Sequence, residues 1–305
     1  MPKQIREVYG SVLAELGETN ENIVVLDADL SGSTKSAIFG KAHPERFFNM
    51  GIAEQNMVAT AAGMAACGKI PFVNTFTVFL TSLGLLSARD QICYANLNVK
   101  FGGAYCGMSD ALDGASHHAT EDIAFMRALP NMKVIAPADA AAARWATKYA
   151  VENYGPMYLR LSREVYPDLY TEDTKFELGK GAIVRDGSDV TVIACGIMVH
   201  KALEAAKILE ERLISVRVVD MYSIKPIDRE LIVKCAEETG AIVIHGGLGS
   251  AVSEVLAYEG CGVPTEFVGI QDTFTESAPY KELLAKYGLD ADGVIEGIEK
   301  VLDRK

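Results

Sequence analysis

Residues 47–79 read FFNMGIAEQNMVATAAGMAACGKIPFVNTFTVF and hold a carboxylate where solvation argues against one. Glu54 stands behind a glycine at the start of an apolar segment rich in small residues, with no Lys or Arg close by. Desolvation disfavours such a charge, so a carboxylate kept there usually binds something. Phe76 and Phe79 follow at helical spacing, just after a strand-like run over 70–74. Two readings are open. In one, Glu54 hydrogen-bonds an aromatic heterocycle with one protonatable ring nitrogen, and the two Phe rings flank it. In the other, Glu54 is a helix-start carboxylate favoured by the helix dipole, and the rings are ordinary core.

The chain around this stretch has 305 residues, enough for two domains of ordinary size. Hydrophobic residues make up 49%, so each domain can bury a core. The formal charge is −12 and no Lys/Arg run interrupts the acidic balance, which disfavours nucleic acid and anionic membrane as partners. Six cysteines (67, 93, 106, 195, 235, 261) show no C-x-x-C spacing, arguing against zinc and for reduced thiols in a cytoplasmic protein. The opening MPKQIREVYG reads as amphipathic helix rather than signal peptide, and the apolar run over 78–88 is too short to span a bilayer.

Taken in order, Ile5, Val8, Tyr9, Val12, Leu13 and Leu16 mark an amphipathic helix that carries Arg6 on another face. A buried strand over 23–26 delivers the polar loop 27–33, DADLSGS. Parallel sheets bind ligands outside the carboxyl ends of their strands, so this loop is a candidate, with a plain polar turn as the alternative. A helix over 78–95 and a strand over 98–101 come next. They lead into a glycine-punctuated loop over 102–119 holding Tyr105, Asp113, His117 and His118. Loops of that length are usually functional or disordered.

Adjacent histidines point apart and lack an obvious third ligand, so a metal pair is disfavoured. Satisfied loop histidines, or one acid/base or hydroxyl-binding group, remain. A strand over 133–135, a helix over 140–152 capped by Asp139, and a strand over 157–161 follow. Arg163 lies just past that strand, placed either to grip an anion or to make a surface salt bridge.

The polar, aperiodic segment 167–182 reads as a linker between a first domain, 1–166, and a second, 183–305. The second domain alternates strands over 190–195, 216–220, 241–245 and 265–268 with helices over 199–211 and 228–239 and one opening at Gly246–Ser250. Both domains are therefore α/β, each a mostly parallel sheet flanked by helices. The glycine turn at 246–250 fits tight strand-to-helix packing better than an anion site.

With these segments on the page, nearly the whole chain resembles the C-terminal half of transketolase, in the form where the enzyme is split into two subunits. The matching runs are IREVYG (5–10), VVLDADLSGST (24–34), RFFNMGIAEQNMV (46–58), RALPNM (127–132), YLRLSR (158–163), SIKPID (223–228) and GGLGSAV (246–252), with DG, AS and H at 113–117. The resemblance implies a pyrimidine-binding domain followed by the family's C-terminal domain, with thiamin diphosphate as cofactor. Glu54 then falls on the glutamate that bonds the pyrimidine and makes its amino nitrogen a base. Phe76 and Phe79 fall on the aromatic pair against that ring, and Asp29 and Leu30 beside the cofactor. His117 falls on a histidine contacting the hydroxyls of the ketose donor, and Asp113 on an aspartate that reads their stereochemistry. Arg6, Ser33 and Arg163 fall on the group that holds the sugar's terminal phosphate.

The chain departs from that pattern in four places. Tyr105 stands where relatives usually carry a histidine at the phosphate end, and SDALDGASHH replaces the usual G-E-D-G-x-T-H-Q. Ser82 stands for a third aromatic, and the segment between Val243 and Gly246 is short. The Tyr105 exchange bears on substrate, and admits a sulfonated or branched ketose. The G-D-G…N pattern of the family's metal–diphosphate site is missing from the chain, so the resemblance implies that a partner subunit holds the diphosphate with Mg2+ or Ca2+. The expected assembly has two copies of each subunit, with no metal ligand in this chain. Alternatives are a half of a 1-deoxyxylulose-phosphate-synthase-like enzyme, a 2-oxo acid dehydrogenase beta subunit, and a non-catalytic assembly homologue.

Overall fold

The computed structural model describes residues 4–305. Two sheets organise the chain. The first is built from β1 (Ile23–Asp27), β2 (Phe47–Asn49), β3 (Ile70–Phe76), β4 (Lys100–Ala104), β5 (Lys133–Ile135) and β6 (Met157–Leu161). The second uses β7 (Ala182–Arg185), β8 (Val190–Ala194), β9 (Val216–Asp220), β11 (Ile242–His245) and β12 (Thr265–Val268), while β10 (Ser223–Lys225) leaves it to pair antiparallel with β5. The orders are β10-β5-β6-β4-β3-β1-β2 and β12-β11-β8-β9-β7. β1 to β6 are mutually parallel, so their carboxyl ends share one edge of the sheet. Both sheets are α/β and mostly parallel, as the alternation of apolar runs requires: β1, β8 and β9 are buried at every residue.

Three differences from the sequence reading have physical causes. The strand expected over 98–101 runs from Lys100 to Ala104 and includes Gly102 and Gly103. A Cβ at Gly102 would lie 2.6 Å from the Tyr9 hydroxyl, and one at Gly103 would lie 2.6 Å from the Tyr158 ring. These glycines make room for aromatics rather than ending a strand. The helix expected over 78–95 is interrupted. It comprises Thr77–Ser82, a turn at Leu85–Ser87 and a wide-turn segment at Ala88–Cys93. At Gly84 the backbone passes so close to the Leu80 carbonyl that a Cβ would sit 2.7 Å from it. The short edge strands β2, β7 and β10 escaped the pattern, because an edge strand has no fully buried apolar run to display.

The segment following β6 has no regular structure, yet it is pinned. Asp139 caps the helix Ala140–Glu152 through the Ala142 amide at 2.9 Å, and its second oxygen accepts from the Leu169 and Tyr170 amides. Tyr170 donates to Asp220 on β9 at 2.8 Å, and Phe176 packs between Trp145 and Tyr222.

Candidate active site

Five neighbouring parallel strands each deliver a candidate residue just past their carboxyl ends: β2 leads to Glu54, β1 to Asp29, Leu30 and Ser33, β3 to Phe76 and Phe79, β4 to Tyr105 and β6 to Arg163. The order of chain entry reverses between β1 and β3, the place where open sheets form a ligand crevice.

Glu54 is the first residue of the helix Glu54–Ala66 and is 4% exposed. Among the described residues its one side-chain hydrogen bond is a long one from the Thr75 hydroxyl at 3.4 Å. Among the described residues no cation pairs with it. The carboxylate therefore keeps acceptor capacity in a dry place, which is what a hydrogen-bonding ring nitrogen would use. The residues present fit a pyrimidine.

The loop after β1 is held by a residue the sequence reading passed over. Asp27 is fully buried and accepts from the Leu30 amide (2.6 Å), Thr34 (2.7 Å) and Ser36 (2.8 Å). Burial pushes its carboxyl up and these hydrogen bonds pull it down. The tight turn leaves Asp29 at φ +65°, with Asn49 donating to it at 2.8 Å. Leu30 packs on the aromatic group that follows.

Phe76 and Phe79 lie nearly parallel, 6.1 Å apart, and His117 meets both edge-on at 6.1 and 5.3 Å. Tyr105 touches Phe76 at 4.4 Å and sits at φ +59°, a left-handed backbone uncommon for a bulky residue. Two guanidiniums lie over its ring, Arg6 at 4.7 Å and Arg163 at 5.3 Å from its centre. Arg6, only 6% exposed, donates to the Tyr105 hydroxyl at 2.7 Å and to the Ser33 carbonyl. The contacts thus join Arg6, Ser33, Leu30, Phe76, Phe79, Tyr105, His117 and Arg163 into one group. Asp113 is exposed on the loop turn, its amide bonded to the Asp110 carbonyl, and is not hydrogen-bonded to the arginines. The carboxylate that reaches Arg163 is Asp110, at 3.4 Å.

The loop carrying Asp110 to His118 is closed at its base by an antiparallel bridge, Gly107 to Ala119. The far end of the chain braces it: His118 pairs with Thr275, the Ala278 amide donates to the Ala111 carbonyl, and Ser277 donates to the Leu112 carbonyl. A cavity of about 480 Å³ lies behind the brace, lined by Gly107, Arg160, Met198, Gly247 and Gln271 among others. Glu54, Phe76, Phe79 and His117 do not line it. Ile52 (84%), two residues before Glu54, and Leu83 (55%) and Leu86 (59%), which follow Phe79, are exposed. Ser82 spends its hydroxyl on the Val78 carbonyl one turn back. The short connection after β11 is made by Gly246 and Gly247, both at φ +88°, and Gly246 packs on Met198, as tight packing requires.

Two α/β sheets thus carry a buried carboxylate, an aromatic pair and an arginine-lined end along one sheet edge. Residues 1–168 match the family model for the transketolase pyrimidine binding domain, and residues 179–294 match the transketolase C-terminal domain. The chain belongs to the transketolase family. It is 44% identical to a transketolase C-terminal section of Methanocaldococcus jannaschii, over 99% of this chain and 98% of that one. It is 38% identical to a 6-deoxy-6-sulfo-D-fructose transketolase subunit of Clostridium sp., over 99% and 95%. A solved structure described as a split gene transketolase, inactive beta4 tetramer, superposes with a TM-score of 0.90 at 52% identity, covering 98% of both chains. The chain spans about half the length of undivided transketolases such as that of Rattus norvegicus, 49%. It is a transketolase-type enzyme subunit.

Proposed function

We propose that this chain is the pyrimidine-binding and C-terminal subunit of a thiamin-diphosphate-dependent transketolase that moves a two-carbon ketol unit from a ketose to an aldose. One observation carries the reading most: Glu54 is buried, without a cation, on the sheet edge that also presents Phe76, Phe79 and His117. Thiamin diphosphate, when bound, supplies the nucleophilic carbon that accepts the ketol unit. Glu54 would hold a proton at the pyrimidine ring nitrogen, and Phe76 and Phe79 would wall the ring. Asp29 and Leu30 would border the cofactor. His117 would donate to donor hydroxyls, and Asp113 would approach them from the loop turn. Arg6, Ser33, Tyr105 and Arg163 would form the end that reads the donor's terminal group.

A partner subunit equivalent to the N-terminal half would supply the diphosphate site with Mg2+ or Ca2+. The exposed apolar residues beside Glu54 support a seam there, in an assembly of two copies of each subunit. The relative described as an inactive beta4 tetramer supports the expectation that this chain alone associates with itself and does not turn over. Four of the six free cysteines are buried, which fits a reducing, cytoplasmic setting. No helix among the described residues is long and apolar enough to cross a membrane.

The test is reconstitution. The chain mixed with its N-terminal-half partner, thiamin diphosphate and Mg2+ should transfer ketol units from a ketose to an aldose, and neither chain should do so alone. Pyruvate decarboxylation in place of ketol transfer would instead favour the deoxyxylulose-phosphate-synthase or dehydrogenase readings.

A further inference from the structure

Asp110 has no counterpart among the residues the family resemblance places in the site, yet it stands at the donor end. It is 2% exposed, its Oδ1 lies 3.4 Å from Arg163 Nη1, and its Oδ2 is buried with no hydrogen-bond donor among the described residues. Burial and then the neighbouring Asp113 push its carboxyl up to about 7, while Arg163 and Arg6 pull it down. Glu164, half-buried, faces both arginines from the end of β6. The two guanidiniums over Tyr105 are therefore already opposed by two carboxylates. One nitrogen of Arg6 is also occupied by the Tyr105 hydroxyl and the Ser33 carbonyl.

We propose that Asp110 is a specificity-determining residue that sets the charge of the donor pocket, so that the enzyme prefers ketoses whose terminal group carries at most one negative charge over those ending in a phosphate dianion. A dianion held by Arg163 lies beside the Asp110 carboxylate, and in its ionised form that carboxylate repels it and has no proton to donate. In a partly dry site that repulsion is weakly screened. A hydroxyl terminus carries no charge to repel, and a singly charged terminus meets about half the repulsion that a dianion does.

The inference rests on the ketol-transfer reading, and two measurements separate their failures. Titration of inorganic phosphate into the full chain reads the pocket's charge without catalysis. Asp110→Asn, which keeps the side-chain shape, is expected to bind phosphate about tenfold more tightly than wild type. Glu164→Gln should shift it the same way by less, and serves if the first variant folds poorly. In the reconstituted enzyme, wild type should use an unphosphorylated or sulfonated ketose with a higher kcat/KM than its phosphorylated counterpart. Asp110→Asn should narrow that gap about tenfold through KM. Unchanged phosphate affinity in both variants, or a wild-type preference for the phosphorylated donor, overturns the proposal. Tighter phosphate binding by the variant with no turnover of any ketose would sink the ketol-transfer reading and leave the pocket assignment standing.

Discussion

His118 Nδ1 lies 2.7 Å from Thr275 Oγ1, a contact that bridges 157 positions of the chain and ties the donor-end loop to the C-terminal domain. The loop presents Asp110, Asp113 and His117, and nothing in its own sequence is regular enough to hold it. The second domain therefore acts on the site by bracing, although none of its residues belongs to the contact group around Tyr105.

Thr275→Val removes one of three polar ties in that brace while preserving volume. Burial of His118 disfavours its charged form, so the ring loses its one side-chain partner in a dry place. The expected result is a three- to tenfold rise in donor KM, roughly the cost of a slightly misplaced binding group, with thiamin diphosphate affinity unchanged. Steady-state rates against donor and cofactor concentration separate the two. Equal loss of both affinities would mean that the brace supports the whole sheet edge rather than the loop.

Glu54→Gln keeps the shape of the side chain and the contact with Thr75 but removes the carboxylate. Turnover should fall by roughly 10²–10⁴, the range for losing a positioned proton-transfer group. The thermal unfolding midpoint should hold or rise, because a buried charge without a cation is replaced by a neutral amide. A variant with near-normal turnover would remove the proposed role of Glu54.

His117 meets the two Phe rings edge-on and hydrogen-bonds Ser116 at 3.0 Å, leaving its other ring nitrogen for substrate. His117→Ala should raise donor KM and lower kcat/KM by about tenfold to a hundredfold, the loss of one good polar contact to a hydroxyl. Cofactor binding, followed by the optical signal of the bound pyrimidine, should stay within about twofold.

Much of the sheet edge was legible in the sequence because the parallel strands are continuous apolar runs, and the polar residues that interrupt them fall where the strands end. Glu54 stood out in the sequence as a carboxylate among small apolar residues, and in three dimensions it is buried at a helix start with no cation paired to it among the described residues. Gly102 and Gly103 misled, because a glycine that accommodates Tyr9 and Tyr158 looks the same in one dimension as a glycine that turns. Asp27 and Asp110 were illegible for another reason. Each lies in a polar loop among similar residues, and only burial against Thr34 and Ser36, or against Arg163, sets it apart. The bracing by Thr275 depends on two segments far apart in the chain, which no local pattern encodes.

Asp220 gives the fold a pH dependence with a definite sign. It is fully buried at the end of β9, accepts from Tyr170 at 2.8 Å, and has its Oδ1 unpartnered. Burial pushes its carboxyl up to about 8, against an ordinary value of 3.8. The folded chain therefore holds a proton that the unfolded chain releases, and folding is helped fully below about pH 4. That help fades as pH rises toward 8, where the fold must bury a charge or lose the pinned segment. Asp220→Asn keeps the acceptor for Tyr170 and removes the titration. Its unpartnered amide costs about 1 kcal/mol at any pH. At pH 8 the variant should be more stable than wild type, by on the order of 4 kcal/mol after that cost. At pH 5 the advantage should vanish or reverse. Urea unfolding at the two pH values measures both differences. A stability difference that is the same at pH 5 and pH 8 would show that Asp220 enters the fold already ionised.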